Sequence, residues 1–479
     1  MRIAIVGAGP AGIAAGRELL IQGFTDFTIF DALDAPGGTW RLHSYPGLAC
    51  DVWAHSYSFS YAPNPDWSAS FVGFAEIQAY LADCATRFGL DPHIQLNTRV
   101  VRAEYREPGK WLLASNEGSL GEFDIMINAM GNQHTPLFPN VDGIESFSGD
   151  SWHATRWNHA VELKGKRVVV VGSAASAVQV VPEVAKEAGH LTVLQRSANW
   201  IMPRGRKEYS EAKRRRFRQF PALIKLTRWF QRTMMGQVEY AVTIGHKRMG
   251  QFEGVVKRFI ERSVDDPAVR KALLPDSRYG CKRGLVSDDF YPALNRDNVE
   301  LVPEGLARVT PTGIETASGR AIDADVIVYC TGYKILDYDR FDVIGKNGQL
   351  LGQVMGDEPR SHKGISVPEF PNFFFAVGPN GLVLNVSYFI TVERNVETIV
   401  GLLSDLHASG KQSLEVKRDV FQSYNDTMDG KFARFSWGAP DCHSYYTNDS
   451  GHASFLFGGN FKEYQKLHEE AGLQEYNVA

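Results

Sequence analysis

Twice along the chain, a run of apolar residues meets a glycine-rich turn and then apolar positions at helical spacing. The first run is Arg2-Ile-Ala-Ile-Val6, followed by Gly7-Ala-Gly9-Pro10-Ala11-Gly12 and an apolar-periodic stretch over 13–20. A short unbroken apolar run bounded by turn residues predicts a buried strand, and the period after it predicts a helix. The second run, over 166–171, leads into Gly172-Ser173-Ala174-Ala175-Ser176-Ala177 and a predicted helix over 178–187. Each helix is followed by another strand-like run, over 27–30 and 191–195. Strands alternating with helices predict an α/β fold of two Rossmann-like units. From Gly205 to Tyr279 the period is helical only, with helices predicted over 209–219, 223–235 and 256–262.

The turns carry recognisable chemistry. Gly7 permits the tight turn, Gly9 admits a pyrophosphate to the backbone, and Gly12 lets helix and strand pack closely. Free N–H groups at the helix start then face phosphate charge. Asp31, 19 residues after Gly12, ends the second strand. Its carboxylate can accept from both hydroxyls of an adenosine ribose and would repel a 2′-phosphate. Gly37, Gly38, Thr39 and Trp40 follow, and glycines here suit a dinucleotide that extends past the first unit, as FAD does. The second turn is the weaker GxAxxA, in which Ala174 adds a methyl group where a pyrophosphate would approach. Its second strand ends in Arg196-Ser197, with no acidic residue. A guanidinium can fork onto phosphate, so this end reads as a 2′-phosphate site and favours NADPH.

Composition changes this picture little. The chain has 479 residues, 44% hydrophobic and 22% charged, about three domains' worth of ordinary globular chain. A net charge of −4 gives no reason to expect nucleic acid. No apolar run reaches about 18 residues, so no stable membrane insertion is expected. The N-terminus shows no signal-peptide pattern, which points to the cytoplasm. The five cysteines are far apart and odd in number, with no CxxC, so neither a zinc site nor a redox dithiol is indicated. A reducing compartment is the simplest setting. The basic run Lys213 to Arg218 reads as a solvated helix face or as a weak attraction for NADPH or a membrane surface.

Longer motifs add specificity. Phe147, Gly149, His153 and Trp157 match FxGxxxHxxxW, with Asn158 after it. Gly38, Trp40, Tyr45, Pro46, Gly47 and Asp51 match GxWxxxx(F/Y)P(G/M)xxxD. Lys282-Arg283 precedes an aromatic pair and Asn295-Arg296-Asp297-Asn298-Val299. Together these resemble the type I Baeyer–Villiger monooxygenases, of the class B flavoprotein monooxygenases. Asn158 departs from the Pro or Asp common there. Related N- and S-oxygenating enzymes share the Phe, Gly and His but not the longer motif.

The resemblance implies two Rossmann-like dinucleotide-binding domains, for FAD and NADP, with a helical insertion. The order would be FAD domain over 1–145, NADP domain over 150–204, helical insertion over 205–280, NADP domain over 281–332 and FAD domain over 333–479. It implies an NADPH- and dioxygen-dependent enzyme that inserts oxygen beside a ketone carbonyl, giving an ester or lactone. A flavin peroxide would be stabilised by Arg283, which Asp51 would orient. Cofactor contacts implied are Gly7, Gly9, Pro10, Ala11, Gly12, Asp31, Gly38, Thr39, Trp40, Asp51, Tyr57, Val101, Ala129 and Gly131 on the FAD side. On the other side they are Gly172, Ser173, Ala175, Ser176, Arg196, Ser197 and Lys282, with Thr331 and Gly332 where the chain returns to the FAD domain. Gly378 to Gly381 resembles the loop beside the isoalloxazine. The turn-rich stretch 436–451, with Tyr445 and Tyr446, resembles segments that close over substrate. The alternating Tyr57, Phe59 and Tyr61 read as a half-buried strand face. A monomer or homodimer acting on a small ketone and dioxygen is expected. The alternatives are an N- or S-oxygenase of the same fold, or a dehydrogenase or disulfide reductase, against which the missing cysteine pair counts.

Overall fold

A computed structural model describes every residue except His443, Tyr445, Asp449 and Ser450, so the expectation for Tyr445 lies outside the described residues. The first parallel sheet has the order Phe373–Phe375, Ile125–Asn128, Ile3–Val6, Phe27–Phe30, Ile94–Gln95. The second runs Val299–Val302, His190–Leu194, Arg167–Val171, Val326–Tyr329, Asp150–His153. In each, the strand that enters a glycine turn is central. Ile5 pairs with Ile29 on one side and Ile127 on the other, and Val170 with Val193 and Val328 in the same way. Ile3, Ile5, Val168 and Val170 are buried against helices, and Ala4, Val6, Val169 and Val171 against antiparallel strands on the other face, which is why these strands read as unbroken apolar runs. Each unit also carries three antiparallel strands before its returning strand, joined in the first unit by Asp342–Ile344 as a parallel fourth strand. The antiparallel strands are Val100–Arg106, Lys110–Ser115 and Gly118–Phe123 in the first, and Leu306–Thr310, Gly313–Thr316 and Ala321–Asp323 in the second.

The turn helices are Pro10–Ile21 and Ala175–Glu187, the second starting three residues earlier than expected. The long helix Tyr388–Ala408 packs on the first. The insertion holds Glu211–Gln219, Pro221–Val242, Lys247–Ser263 and Pro267–Ala272, with two helices longer than their periodicity suggested. Gly236 and Gly250 lie inside them, and apolar packing outweighs roughly 1 kcal/mol per glycine. The alternating aromatics form no strand. Residues 51–62 are turns, in which Ser58 Oγ donates to the His55 carbonyl and competes with any ladder. Phe59 is still buried, stacked on Tyr61 and edge-on to Phe389.

Two further findings concern long-range connections. The chain segments joining the sheets run side by side: Leu137 N–H donates to the Gly332 carbonyl and Lys334 N–H to that of Thr135, both at 3.0 Å. Thr331 Oγ1 donates to the Leu137 carbonyl, so Thr331 and Gly332 both serve this junction. Cys281 and Cys442, 161 residues apart, form a disulfide, while Cys50, Cys84 and Cys330 are free and buried. Chain spacing carries no distance, so this pair was not legible from the order of the cysteines. Among the described residues, no helix is long and apolar enough to cross a membrane.

Candidate active site

The first turn is closed by backbone contact. A Cβ on Gly7, at φ +114, would stand 2.5 Å from the Ala129 carbonyl oxygen, and one on Gly12 would stand 1.8 Å from that of Gly7. Gly9 and Gly38 approach so closely that a Cβ on Gly38 would meet Gly9 Cα at 2.9 Å. No side chain caps Pro10–Ile21, so its first N–H groups stay open to an anion. This cradle fits a dinucleotide. Asp31 does more than was expected of it. Its buried carboxylate accepts from Ala8 N at 2.6 Å and Leu33 N at 2.8 Å, tying the strand end to the turn. Burial pushes its pKa up, against those two hydrogen bonds. A carboxylate has about four acceptor sites, so capacity for a ribose remains.

One cavity is lined by Ala11, Ala129, Gly131, Gly378 and Tyr388, which unites three separate segments that the sequence had placed near the flavin. The loop at Gly378 is held from behind. Asn380 Nδ2 donates to the Ala453 and Leu456 carbonyls, each at 2.8 Å. Thr39 begins a four-residue helix that carries Trp40, whose Nε1 donates to Tyr57 Oη at 3.2 Å. Tyr57 is enclosed beside Cys50, Asp51 and Tyr388, and burial raises its pKa well above the ordinary value. Val101 sits half-buried at an irregularity of the strand Val100–Arg106.

The second turn repeats the first. A Cβ on Gly172, at φ +111, would meet the Cys330 carbonyl oxygen at 2.6 Å. Ala174 caps its helix at φ −88, ψ −162, close to Gly9 at −78, −171. The methyl group therefore requires no strained backbone. Ala175 and Ser176 form the uncapped first turn. Ser173 faces the neighbouring loop, with Oγ donating to the Ser197 carbonyl at 3.2 Å. Asn199, which no motif indicated, donates to the Ser173 carbonyl at 3.0 Å. Lys282 Nζ donates to Ser197 Oγ at 2.6 Å across 85 residues. Burial pushes the Lys282 pKa down; Asp276 opposes this and the nearby Arg196 adds to it. Two cations and a hydroxyl thus converge at one strand end.

Arg283 Nη2 meets Asp51 Oδ2 at 2.5 Å across 232 residues. The segment leading to Asp51 seats on the second unit's turn helix. Tyr45 Oη donates to Gln179 Oε1 at 3.2 Å, and Gln179 Nε2 donates to the Ala49 carbonyl at 2.8 Å. A Cβ on Gly47, at φ +78, would lie 2.3 Å from the Gln179 carbonyl oxygen, so only glycine fits that approach. Gln179 was missed from the sequence. Its one signal was a polar residue in a helix dominated by buried valine and alanine. Cys281 places the disulfide next to Lys282 and Arg283. The described part of 436–451 is packed: Trp437 is 2% exposed and stacked on Phe435 at 4.4 Å.

The fingerprint residues divide. Gly149 lies against the Asp325 carbonyl with Phe147 beside it, at the start of the strand Asp150–His153. His153 ends that strand, buried, with Nδ1 3.0 Å from Thr155 Oγ1. Burial pushes its pKa down to about 4. His43 links it to the first unit, with Nδ1 3.4 Å from the Thr155 carbonyl and Nε2 2.8 Å from that of Gln133. Trp157 packs edge-on to Trp152 at 5.5 Å. These residues brace the junction between the sheets.

Two parallel sheets, each with a glycine turn and an open helix terminus, define a flavoprotein of the two-dinucleotide class. The family model described as flavin-binding monooxygenase-like matches residues 1–342. A Baeyer–Villiger monooxygenase of Streptomyces coelicolor is 34% identical over 484 residues, covering 100% of this chain and 92% of that one. The crystal structure of OTEMO in complex with FAD and NADP superposes with a TM-score of 0.90 at 25% identity, covering 100% of this chain and 99% of the other. Oxidised steroid monooxygenase bound to NADP gives 0.87 at 27% identity, with the same coverage. The chain belongs to the flavin-binding monooxygenase-like family, on its Baeyer–Villiger side. It is a FAD-dependent enzyme of that kind, with FAD and NADP as its cofactors.

Proposed function

We propose that the enzyme uses NADPH and dioxygen to insert one oxygen atom beside the carbonyl of a small ketone, giving an ester or lactone. The observation that carries this reading is the Arg283–Asp51 pair at 2.5 Å, which joins the loop after Gly38 to the residue after Lys282. Bound FAD supplies the activation of dioxygen, with electrons drawn from NADPH. The chain's own residues supply placement and charge. The glycine turns and open helix termini bind the two pyrophosphates. Arg196, Ser197 and Lys282 bind the 2′-phosphate.

Arg283 never loses its proton, so it offers a fixed cation to negative charge that develops near the carbonyl. Asp51 holds that guanidinium in one orientation. Trp40 and Tyr57, hydrogen-bonded to each other, set an aromatic wall near Asp51. Oxygen uptake with NADPH, with and without a ketone, and product mass test the reading. Ester formation is expected, and Arg283→Ala should abolish it with FAD still bound. Ester formation near the normal rate in that variant, or an N- or S-oxide as the only product, would refute the proposal.

A further inference from the structure

The insertion presents a surface that catalysis does not use. On the helix Pro221–Val242, Leu223, Leu226, Phe230 and Met234 are exposed at spacings of three and four, which places them on one face. Trp229, 64% exposed, flanks that stripe, and Phe220 extends it past the helix start. From Phe220 to Met234 the stripe runs for about 21 Å. Exposed apolar surface of this extent marks an interaction site more often than chance. Beside it lies the helix Glu211–Gln219. Arg214 and Arg218 pair with Glu211, and Arg218 also with Asp66. Lys213, Arg215, Arg216 and Lys225 face solvent. Between the two helices is a cleft of about 550 Å³, with Phe217, Leu223 and Leu226 as apolar lining and Lys213 and Arg216 as cations.

Charge separates the segment that carries this face from the rest of the molecule. Residues 204–262 hold sixteen Lys or Arg and five Asp or Glu, a net charge of +11. The whole chain is −4, so the remainder is −15. A second copy docking through the same face would set like charge against like charge. An anionic bilayer meets both halves of the surface at once. Headgroups attract the cations, and Trp229, Phe230 and Leu226 enter the boundary with the acyl chains, as an interfacial amphipathic helix does.

We propose that this helical pair docks the enzyme reversibly on an anionic lipid surface, lying on the bilayer without crossing it. The test is flotation of the full-length protein with two kinds of vesicle, phosphatidylcholine alone and phosphatidylcholine mixed with phosphatidylglycerol. Binding is expected only to the anionic vesicles, and it should weaken as salt rises. Trp229→Ala with Phe230→Ala, and separately Arg215→Gln with Arg216→Gln, should each reduce binding by about tenfold or more. Retained FAD absorbance shows that both variants fold. Absence of binding to anionic vesicles, or equal binding to neutral ones, would overturn the proposal. So would a concentration-dependent dimer in sedimentation velocity that the Trp229 and Phe230 replacements abolish.

Discussion

Replacing Lys282 with Met should change coenzyme preference more than it changes the reaction. The ammonium donates to Ser197 Oγ at 2.6 Å and is half-buried beside Arg196. Its charged form is disfavoured by that burial and by its like-charged neighbour, so a phosphate dianion has much to offer it. A hydrogen bond to a charged group contributes roughly 1.5–3 kcal/mol. At about 1.4 kcal/mol per decade, losing it should lower kcat/KM for NADPH by roughly 10- to 150-fold. NADH carries a hydroxyl where NADPH carries the phosphate, so its kcat/KM should move by less than about threefold. Arg196→Gln on top of Lys282→Met should cost less than the sum of the single changes, because both side chains serve one phosphate. The ligand-free protein should melt no lower than the parent, since the desolvation cost of a half-buried ammonium is removed, whereas stabilisation by NADP⁺ should shrink. Steady-state kinetics with both coenzymes and melting with and without NADP⁺ measure these effects. An equal loss with NADPH and NADH would refute the assignment of the 2′-phosphate site.

Acid should destabilise the junction between the sheets. His153 and His134 are pushed down to about 4 by burial, and His43 is also lowered, so the folded state holds them neutral. The unfolded chain binds these protons first, so stability present above pH 6.5 is lost as the pH falls towards 4. For buried His153 the loss is at most roughly 3 kcal/mol. His153→Asn should flatten the dependence of melting temperature on pH between 7 and 5, and an unchanged slope would exclude His153 as a source. Reduction of the Cys281–Cys442 disulfide, or Cys442→Ser, should lower the melting temperature by removing a tether of typically 2–4 kcal/mol. The same change should slow turnover more than it lowers FAD content, because Cys281 adjoins Lys282 and Arg283. Unchanged kinetics in Cys442→Ser would refute that coupling.

How much was legible from the chain depended on how local each feature is. A phosphate-binding turn needs strand, glycines and helix in direct succession, so Gly7 to Gly12 and Gly172 to Ala177 could be read as written. The buried strands could be read too, because burial on both faces demands unbroken apolar runs. Helix existence in the insertion followed from its period, whereas helix ends did not, since packing carried two helices beyond the expected starts and stops. Asp51 and Arg283 were paired by resemblance; no spacing rule joins residues 232 positions apart.

Other features were decided by the tertiary structure alone. It brought Lys282 to Ser197, seated Gly47 on the backbone of Gln179, joined Cys281 to Cys442, and turned the Asp31 carboxylate back onto Ala8. It also left Leu226, Trp229 and Phe230 uncovered on the helix Pro221–Val242. The physical reason is common to all of these. Local conformational preference acts over a few residues, while contact between distant residues follows from how the two sheets and the insertion pack. That packing is set by apolar burial over the whole chain, and the few polar partners it brings together are read only from the folded molecule.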